Sequence, residues 1–488
     1  MKIYRYLAIG LTMAFGLGSC SLDSENYVDS DAGTAFSNLS SVKSGTDGAY
    51  YYAGHYAFLG NYAVALGDFC AGVSLGSSSS GHFYAYSNFS FSDTSTELEN
   101  VWDAGYKVIT NATRTIAGAN RLMESGAITE SEYPQAYAYV GQCYALKALA
   151  NYYLVNYFGL PYSAENASTP GTIVIDETVP SHEDKVSRGT VEEETYEQIL
   201  KDIASAENAF DEAGDDAIEE VTGGNLAYYM TPMAVAGLKA RVYMCLGRYQ
   251  EAEQAAKLAL ELKGAAGNAA DQTPGDEEYL GMWTSLSVSA EDLFTIKKSE
   301  DDNLSANALN TLYGSYYCTL QNAALATLGE NDIRLQLTHA GDGGGTTTGK
   351  YDGVANSAAT SNIPVMRKSE MSLIIAECEA RVGTVEQARD YLFYTARRDH
   401  DITSTDDLPG TRDELLAFIS QERIREFMGE GHRFIDARRM GDVVTMDGFQ
   451  PWDIKKFVFP IPAAEINSGF GAQQNEGWSD NLPTRGTN

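Results

Sequence analysis

Residues 231–262, TPMAVAGLKARVYMCLGRYQEAEQAAKLALEL, carry the pattern that decides the fold. The stretch predicts two helices broken at Gly247, because apolar residues recur at three- and four-residue spacing on either side of it. Small residues stand where the two helices would cross, at Ala240, Ala252 and Ala259. This spacing is that of the tetratricopeptide repeat, in which small side chains let antiparallel helices approach closely.

A second stretch, residues 367–400, repeats the pattern. Its segment IIAECEARVGTVEQARDYLFYTARR places Ala376, Gly383 and Ala388 at the same intervals as in the first stretch. Because a single repeat cannot bury both of its faces, we expect such pairs to stack on one another. The predicted fold class is mostly α: a tetratricopeptide-like helix-pair scaffold with a loop-rich lobe that carries the ligand site.

Helical spacing of apolar residues also marks four further segments, two of them preceded by a threonine that can cap the helix. Long stretches rich in Gly, Ser and Asn separate the helical blocks, and loops of such length are usually functional or disordered. The segments are 100–123, 131–158, 191–210 and 412–428, the candidate N-caps are Thr190 and Thr411, and the loops are 74–95, 264–310 and 341–362.

The chain opens with Lys2 and Arg5, followed by an apolar run over residues 6–17 and by Leu-Gly-Ser-Cys, which ends at Cys20. The run is too short to cross a bilayer, which takes about 20 residues, and it is typical of a secretory signal peptide. An ordinary secreted protein with a chance cysteine near its cleavage site is the alternative. The acidic stretch SLDSEN that follows resembles the signal that sends lipoproteins of Bacteroidetes-type bacteria to the outer cell surface.

These features divide the chain into three parts. Residues 1–19 are predicted to be a lipoprotein signal peptide, residues 20–38 a lipidated tether, and residues 39–488 the folded domain. Acyl chains on Cys20 would bury enough CH₂ groups, at about 0.8 kcal/mol each, for stable anchoring. We therefore expect a protein that is attached to the membrane through its lipid and does not span it.

The chain is strongly acidic, with 34 Lys and Arg against 67 Asp and Glu and a formal net charge of −33. Nucleic acid is excluded as a partner, since phosphate binding needs clustered Lys and Arg. The same negative net charge excludes peripheral binding of the protein to a membrane surface of anionic lipid. A calcium ion at residues 301–303 or 399–401 stays open as an alternative, although neither acidic stretch has the ligand spacing of an EF-hand.

Besides Cys20 there are five cysteines, an odd and widely spaced set that is not typical of a disulfide framework. Cys143, Cys245 and Cys378 lie in apolar helical patterns, where a thiol behaves as a small hydrophobe, so we interpret them as core. The sequence has no CxxC or HExxH motif, and its six histidines are scattered. Neither a metal site nor a cofactor is predicted.

Catalysis has little support in the sequence. Residues 72–76, GVSLG, fit the G-x-S-x-G nucleophile elbow, but the Ser- and Gly-rich stretch after them will not start the helix that this motif requires. A pair of carboxylates for glycoside hydrolysis could exist among so many acidic residues. No two of them are set apart in an apolar surrounding that would push their pKa values apart. We expect a binding protein and not an enzyme.

Three motifs near the carboxyl end carry a resemblance to a known family. The first runs through IPVMRKSEMSLIIAECEARVG, the second through QERIREFMGEGHRFIDARRMGD, and the third through FPIPAAEIN and the following QQN. Their matching residues are Pro364, Arg367, Glu370, Ala376 and Glu377; Glu422, Arg423, Glu426, Glu430, Gly431, Arg433, Asp436 and Arg439; and Pro460, Ile461, Pro462, Glu465, Ile466, Asn467, Gln474 and Asn475.

With these motifs the chain resembles the SusD/RagB family of outer-membrane nutrient-binding lipoproteins. Trp102 and Tyr106, the helix ALKALANYYLVNYFG, the stretch TYEQILKDIASAE, the 231–262 repeat and the NDIR stretch at 331–334 also fall in family order, so the likeness covers nearly the whole mature chain. The charged residues of the second motif recur one helical turn apart. They indicate a structural ion-pair network and are left out of the predicted site.

The resemblance implies a function as well as a fold. Such a protein is expected to bind a nutrient, here predicted to be an oligosaccharide, and to deliver it to a TonB-dependent SusC-like outer-membrane transporter. It would be lipid-anchored in the outer membrane and face the cell exterior. A peptide-capturing member of the same family is one alternative, and a tetratricopeptide-type adaptor that holds other proteins is another.

Aromatic residues are the candidate ligand contacts, because flat rings with polar edges stack on sugars or hold peptide side chains. Thirty-one tyrosines and four tryptophans are available. The resemblance implies that the contacts come from loops near residues 83–91 and 280–320, and the residues themselves are inferred from aromatic content and chain position. They are Tyr84, Tyr86, Asn88, Phe89, Trp283, Tyr313, Tyr316 and Tyr317. Tyr84 and Tyr86 would share one face of a strand.

Overall fold

The structure is a computed structural model that describes residues 35–181, 183–264, 273–354 and 359–486. The predicted signal peptide, Cys20 and most of the tether lie outside the described residues. None of the helices in the described part has the length and apolar character needed to cross a membrane.

Helices dominate the described chain, as the sequence predicts, and the mostly α fold class is confirmed. In chain order they are α1 (Leu39–Ala53), α2 (Tyr62–Phe69), α3 (Tyr84–Ser87), α4 (Thr96–Glu124), α5 (Tyr133–Phe158), α6 (Glu197–Thr222), α7 (Pro232–Cys245), α8 (Tyr249–Leu262), α9 (Asp276–Gly281), α10 (Leu309–Tyr313), α11 (Asn322–Leu325), α12 (Lys368–Val382), α13 (Val385–Ala396), α14 (Arg412–Phe427), α15 (Arg433–Met440) and α16 (Ala463–Asn467).

Ten short strands pair two by two, always antiparallel, and form no larger sheet among the described residues. The pairs are β1 (Ser74–Leu75) with β5 (Thr319–Leu320), β2 (Pro170–Ile173) with β3 (Arg188–Thr190), β4 (Asp292–Ile296) with β8 (Ile363–Arg367), β6 (Thr338–Ala340) with β7 (Thr346–Thr348), and β9 (Val443–Val444) with β10 (Trp452–Asp453).

The two predicted helix pairs are present and adjacent. Helices α7 and α8 pack on each other, α8 packs on α12, and α12 packs on α13. Gly247 joins the first pair with a φ of +68°, a left-handed conformation that side chains with a Cβ rarely adopt. Ala240 and Ala252 are fully buried, as are Ala376 and Ala388 in the second pair. Small residues therefore stand at both crossings and allow the close approach.

The other predicted helices exist with shifted bounds. Segment 191–210 begins with a π-helical turn at Val191–Tyr196 before α6, which then continues well past the expected end. The Thr411 side chain accepts a hydrogen bond from the Glu414 backbone N–H and so caps α14 as predicted. Thr190 precedes its helix but makes no such bond, and its hydroxyl is unpaired.

The cysteines behave as the sequence predicts. All five of them in the described residues are buried and free, including Cys143, Cys245 and Cys378 within helices.

The described residues contain no cluster of three or more His, Cys, Asp or Glu side chains that could hold a metal ion. The acidic stretches at 301–303 and 399–401 thus form no such cluster where they stand.

Candidate functional site

Two long loops of the predicted lobe meet at one place. Strand β1 pairs with β5, with Ser74 opposite Leu320 and Leu75 opposite Thr319, so the loop after β1 and the loop before β5 leave the pairing side by side. The turn of the β6–β7 hairpin approaches the same place. A Cβ on Gly343 would lie 2.7 Å from the Cβ of Tyr317, so only glycine admits this contact.

Four rings of these two adjoining loops are exposed or half-buried, and we call them together the aromatic patch: His82, Tyr84, Tyr316 and Tyr317. Tyr84 is 44% exposed and Tyr317 is 39% exposed, while His82 and Tyr316 are half-buried. The His82 and Tyr316 rings are stacked, with centroids 3.6 Å apart and planes 9° apart. Exposed aromatic faces held in place by neighbours are the form that sugar-stacking platforms take.

Hydrogen bonds fix the backbone beneath the patch. The Ser80 hydroxyl donates to the Tyr316 carbonyl at 2.7 Å, and this bond ties the first loop to the second. The Asn88 amide donates to the Tyr84 carbonyl at 3.0 Å, and its oxygen accepts from Arg485. The patch is therefore a pre-formed surface, which lowers the ordering cost of binding.

Backbone strain concentrates in the same two loops. Four non-glycine residues in the described chain have positive φ, and three of them are Phe83 at 49°, Phe89 at 53° and Tyr317 at 59°. Such conformations cost on the order of 1 kcal/mol each for bulky residues and cluster at functional sites. Strain here supports the assignment of a binding role to these loops.

The eight predicted site residues fall into two groups in the structure, one accessible to solvent and one buried. Tyr84, Asn88, Tyr316 and Tyr317 are exposed or half-buried and lie in the two adjoining loops. The other four are interior side chains and do not form an open platform. They are Tyr86, Phe89, Trp283 and Tyr313.

Each of the four buried rings has a structural partner. The Tyr86 hydroxyl donates to Glu97 at 3.0 Å, and the Tyr313 hydroxyl hydrogen-bonds to the Ser74 hydroxyl at 2.8 Å. Phe89 packs edge-on against Trp452 with ring centroids 5.1 Å apart. The shared strand face expected for Tyr84 and Tyr86 is wrong, because both lie in the helical turn α3, which turns one ring outward and the other inward.

Trp283 covers a buried group of ionic side chains, which we call the charge cluster. Its ring lies 4.7 Å from the Lys350 ammonium and 5.5 Å from the Arg367 guanidinium. These are cation–π contacts, so the ring face that could stack on a sugar is used inside the protein. The cluster comprises Glu291, Asp332, Arg334, Lys350, Arg367, Arg398, Glu422, Glu426 and Glu430, all nearly inaccessible to solvent.

Glu426 is the centre of the charge cluster. Its carboxylate accepts from Arg367 at 2.8 Å, from Arg398 at 2.9 Å and from Arg334 at 3.2 Å. Burial by itself would raise the pKa of Glu426, but the three guanidinium groups hold it far below its ordinary value. A carboxylate kept ionised in this way is not poised as a general acid.

A second set of ion pairs continues the network through α7, α12, α14 and α15. Arg241 pairs with Glu370 at 2.6 Å and Arg423 with Asp436 at 2.7 Å, all four side chains being buried. The charged motif near the carboxyl end therefore joins helices to one another. This confirms its interpretation as a structural network.

The G-x-S-x-G match is not a nucleophile elbow. Ser74 lies in strand β1 and is fully buried, and its hydroxyl forms a hydrogen bond with the Tyr313 hydroxyl. A Ser- and Gly-rich turn follows β1 where the motif requires a helix. The match supports no hydrolase.

The sequence reasoning missed His82 and Ser80, which order Tyr316 from the neighbouring loop. No local signal marks them, because their role depends on a residue far away in the chain. The partial clue is that His82 directly precedes the aromatic run FYAYSNFSF.

Comparisons with known proteins agree with this architecture. A family model described as the SusD family matches residues 345–478, and a model described as "Starch-binding associating with outer membrane" matches residues 37–244. No curated protein matches the chain. The two models together cover both the amino-terminal helices and the carboxyl-terminal motifs.

Solved structures share the fold over nearly the whole chain. A SusD superfamily protein from Bacteroides vulgatus aligns with a TM-score of 0.78 at 23% identity, covering 91% of this chain and 100% of that one. One from Bacteroides thetaiotaomicron aligns with a TM-score of 0.74 at 23% identity, covering 90% and 99%. A SusD-like carbohydrate binding protein from Bacteroides vulgatus aligns with a TM-score of 0.70 at 16% identity, covering 85% and 86%.

The stacked helix pairs, the buried charged motif and the two family models lead to one conclusion: this chain belongs to the SusD/RagB family.

Proposed function

We propose that this protein captures an oligosaccharide at the cell surface and delivers it to a TonB-dependent SusC-like outer-membrane transporter. The observation that carries the proposal is the aromatic patch. Exposed rings on strained, hydrogen-bonded loops offer apolar faces next to polar groups, and sugars present that same combination.

The family descriptions support a carbohydrate ligand. One matching model is described as starch-binding and outer-membrane associated, and one structural neighbour as carbohydrate binding. Lipidation at Cys20 would keep the protein at the membrane while leaving the body free to move against a transporter. Capture of this kind needs a binding surface and a tether but no chemical step.

Binding is tested with the mature chain without its lipid, residues 21–488, titrated with neutral and acidic oligosaccharides and with peptides in a calorimeter. We expect saturable binding to at least one oligosaccharide and a loss of that binding in Tyr316→Ala. Binding to peptides alone would overturn the carbohydrate assignment, and binding to neither would overturn capture by the isolated protein.

Delivery is tested in cells. Replacing Cys20 by Ala removes the acylated thiol, so we expect uptake of the labelled oligosaccharide to fall while the purified protein still binds it. Unchanged uptake by cells that express the unlipidated protein at normal levels would contradict the tethered-delivery model.

A further inference from the structure

A cavity lined by tyrosines lies apart from the aromatic patch. It has a volume of about 420 Å³ and opens between the end of α1, the turn before α7 and strand β4. Tyr50, Tyr51, Tyr228 and Tyr229 contribute to its walls. Tyr51 is 62% exposed. A concave site with aromatic walls and a few polar groups is the usual form of a ligand pocket.

Consecutive ring contacts join this cavity to the patch. Ring centroids are 5.7 Å apart from Tyr51 to His55, 4.3 Å from His55 to Tyr56, 5.4 Å from Tyr56 to Tyr62, and 5.7 Å from Tyr62 to Phe83. The first four residues are exposed or half-buried, and we call them the aromatic track. Phe83 is buried and stands between His82 and Tyr84 in the sequence, so the track leads to the loop that carries these two members of the patch.

The charge at the cavity differs from that of the rest of the protein. Each of its aspartates has its own lysine: Asp47 pairs with Lys43 at 2.6 Å, and Asp302 with Lys298 at 3.3 Å. Lys297 also borders the cavity, is exposed, and pairs with no carboxylate in the part of the chain that the structure describes. Lys43 lies outside the lining, so the lining itself holds two aspartates and two lysines and is neutral in a chain of net charge −33, and Lys297 is its lysine without a paired carboxylate.

Lys297 is placed to serve a ligand in this cavity. Its ammonium lies 5.1 Å from the centroid of the Tyr228 ring, which holds it over the tyrosine wall while its N–H groups remain available as donors. Burial lowers the pKa of His55, and the neighbouring Lys107 and Lys298 lower it further. His55 is therefore neutral at pH 7 and acts as a ring of the track.

We propose that this cavity is a second subsite for the same ligand, that it binds a sugar residue carrying a carboxylate, and that Lys297 holds that carboxylate while the tyrosines stack on the ring. The inference rests on the proposed function and narrows its ligand to an acidic oligosaccharide, such as one built from uronic acids. An acidic surface repels such a chain at a distance, so an unpaired lysine among aromatic faces is the feature that recognition requires.

Paired probes test the proposal. Oligogalacturonate, oligomannuronate and hyaluronan oligosaccharides are each compared with their carboxyl-reduced forms against residues 21–488. At least one acidic oligosaccharide should bind about three- to tenfold more tightly than its reduced form, as for one charge-assisted contact at a partly exposed site. Added salt should shrink this preference, since Lys297 is exposed.

Variants assign the effect to the cavity. Lys297→Gln should abolish the preference for the acidic form, and Tyr51→Ala should weaken long oligosaccharides more than disaccharides. Lys456→Gln, which changes an exposed lysine outside the cavity, is the matched control and should leave both properties unchanged.

The outcomes separate this proposal from the general function. If oligosaccharides bind and depend on Tyr316, but acidic and reduced forms bind equally or Lys297→Gln has no effect, the second subsite is wrong and carbohydrate capture stands. If no oligosaccharide binds at all, the carbohydrate function falls and this inference falls with it.

Discussion

The His82 imidazole lies parallel to the Tyr316 ring, with the centroids 3.6 Å apart. The stack covers one face of Tyr316 and restrains its rotation, so the surface that remains exposed is presented in a fixed orientation. This contact joins the loop after β1 to the loop before β5. The shape of the aromatic patch therefore depends on His82, which the sequence analysis did not predict as a ligand contact.

The first prediction concerns this stack. Tyr316→Ala should reduce affinity for the bound oligosaccharide by tenfold or more, because a stacking face is lost, whereas His82→Ala should reduce it by a smaller, roughly threefold factor through lost pre-organisation. Calorimetric titration measures both. Tyr137→Ala, on helix α5 and away from the patch, is the control, and an equal loss in that variant would contradict the assignment.

The second prediction concerns the charge cluster. Glu426→Gln leaves three buried guanidinium groups without their shared carboxylate, and removing one partner of a buried pair costs about 3–5 kcal/mol of unfolding free energy. Urea unfolding measures the loss. Glu253→Gln, which removes the partner of the part-exposed Lys257, should cost less than about 1 kcal/mol. Equal losses in the two variants would mean that the cluster is not a stabilising unit.

The sequence predicted the helix pairs well because their determinants are local. Ala240 and Gly247 stand at fixed spacing within one stretch, and the helices that they separate need no distant information to form. The charged motif near the carboxyl end was also interpreted correctly as structural, since its members repeat one turn apart. Gly431 in that motif has a φ of +81°, so the backbone conformation itself requires glycine there.

The site was predicted only in part, because burial of an aromatic ring depends on residues far away in the chain. Trp283 has the chemistry to stack on a sugar or on a guanidinium, and only the fold places Arg367 and Lys350 beside it. Tyr313 is covered in the same way by Phe69 and Tyr351. Tyr84 and Tyr316 were predicted as ligand contacts from the sequence, but the stacking of His82 on Tyr316 was not predicted.

The third prediction uses the buried carboxyl group of Asp68 in helix α2. Burial raises its pKa from 3.8 to about 7, and the nearby Glu430 carboxylate acts in the same direction. The folded protein keeps this proton between pH 4 and pH 7 while the unfolded chain loses it, so this group's contribution to stability falls as pH rises through that window. Above pH 7 the loss is complete.

Asp68→Asn removes the titration and isolates its effect. The difference in unfolding free energy between the variant and the parent should be small at pH 4 and should grow in favour of the variant towards pH 8, by an amount on the order of 2–4 kcal/mol. Urea unfolding at several pH values gives this difference. A difference that does not change with pH would show that Asp68 keeps an ordinary pKa in the fold.

The fourth prediction tests a close backbone approach between the amino-terminal helices and the carboxyl-terminal motif. A Cβ on Gly67, in helix α2, would lie 2.0 Å from the carbonyl oxygen of Gly431, a distance that no side-chain rotation can relieve. Gly67→Ala must therefore push α2 away from the turn after α14, and we expect a loss of about 1–3 kcal/mol or more in unfolding free energy.

Gly281→Ala is the matched control, because nothing lies within 4 Å of its Cβ position and its φ is negative. It should change stability by no more than about 0.5 kcal/mol. Since α2 also supports Phe69 beneath the patch, Gly67→Ala should weaken oligosaccharide binding as well, whereas Gly281→Ala should leave it unchanged. Equal stability of the two variants would contradict the close packing of these segments, on which the position of the patch depends.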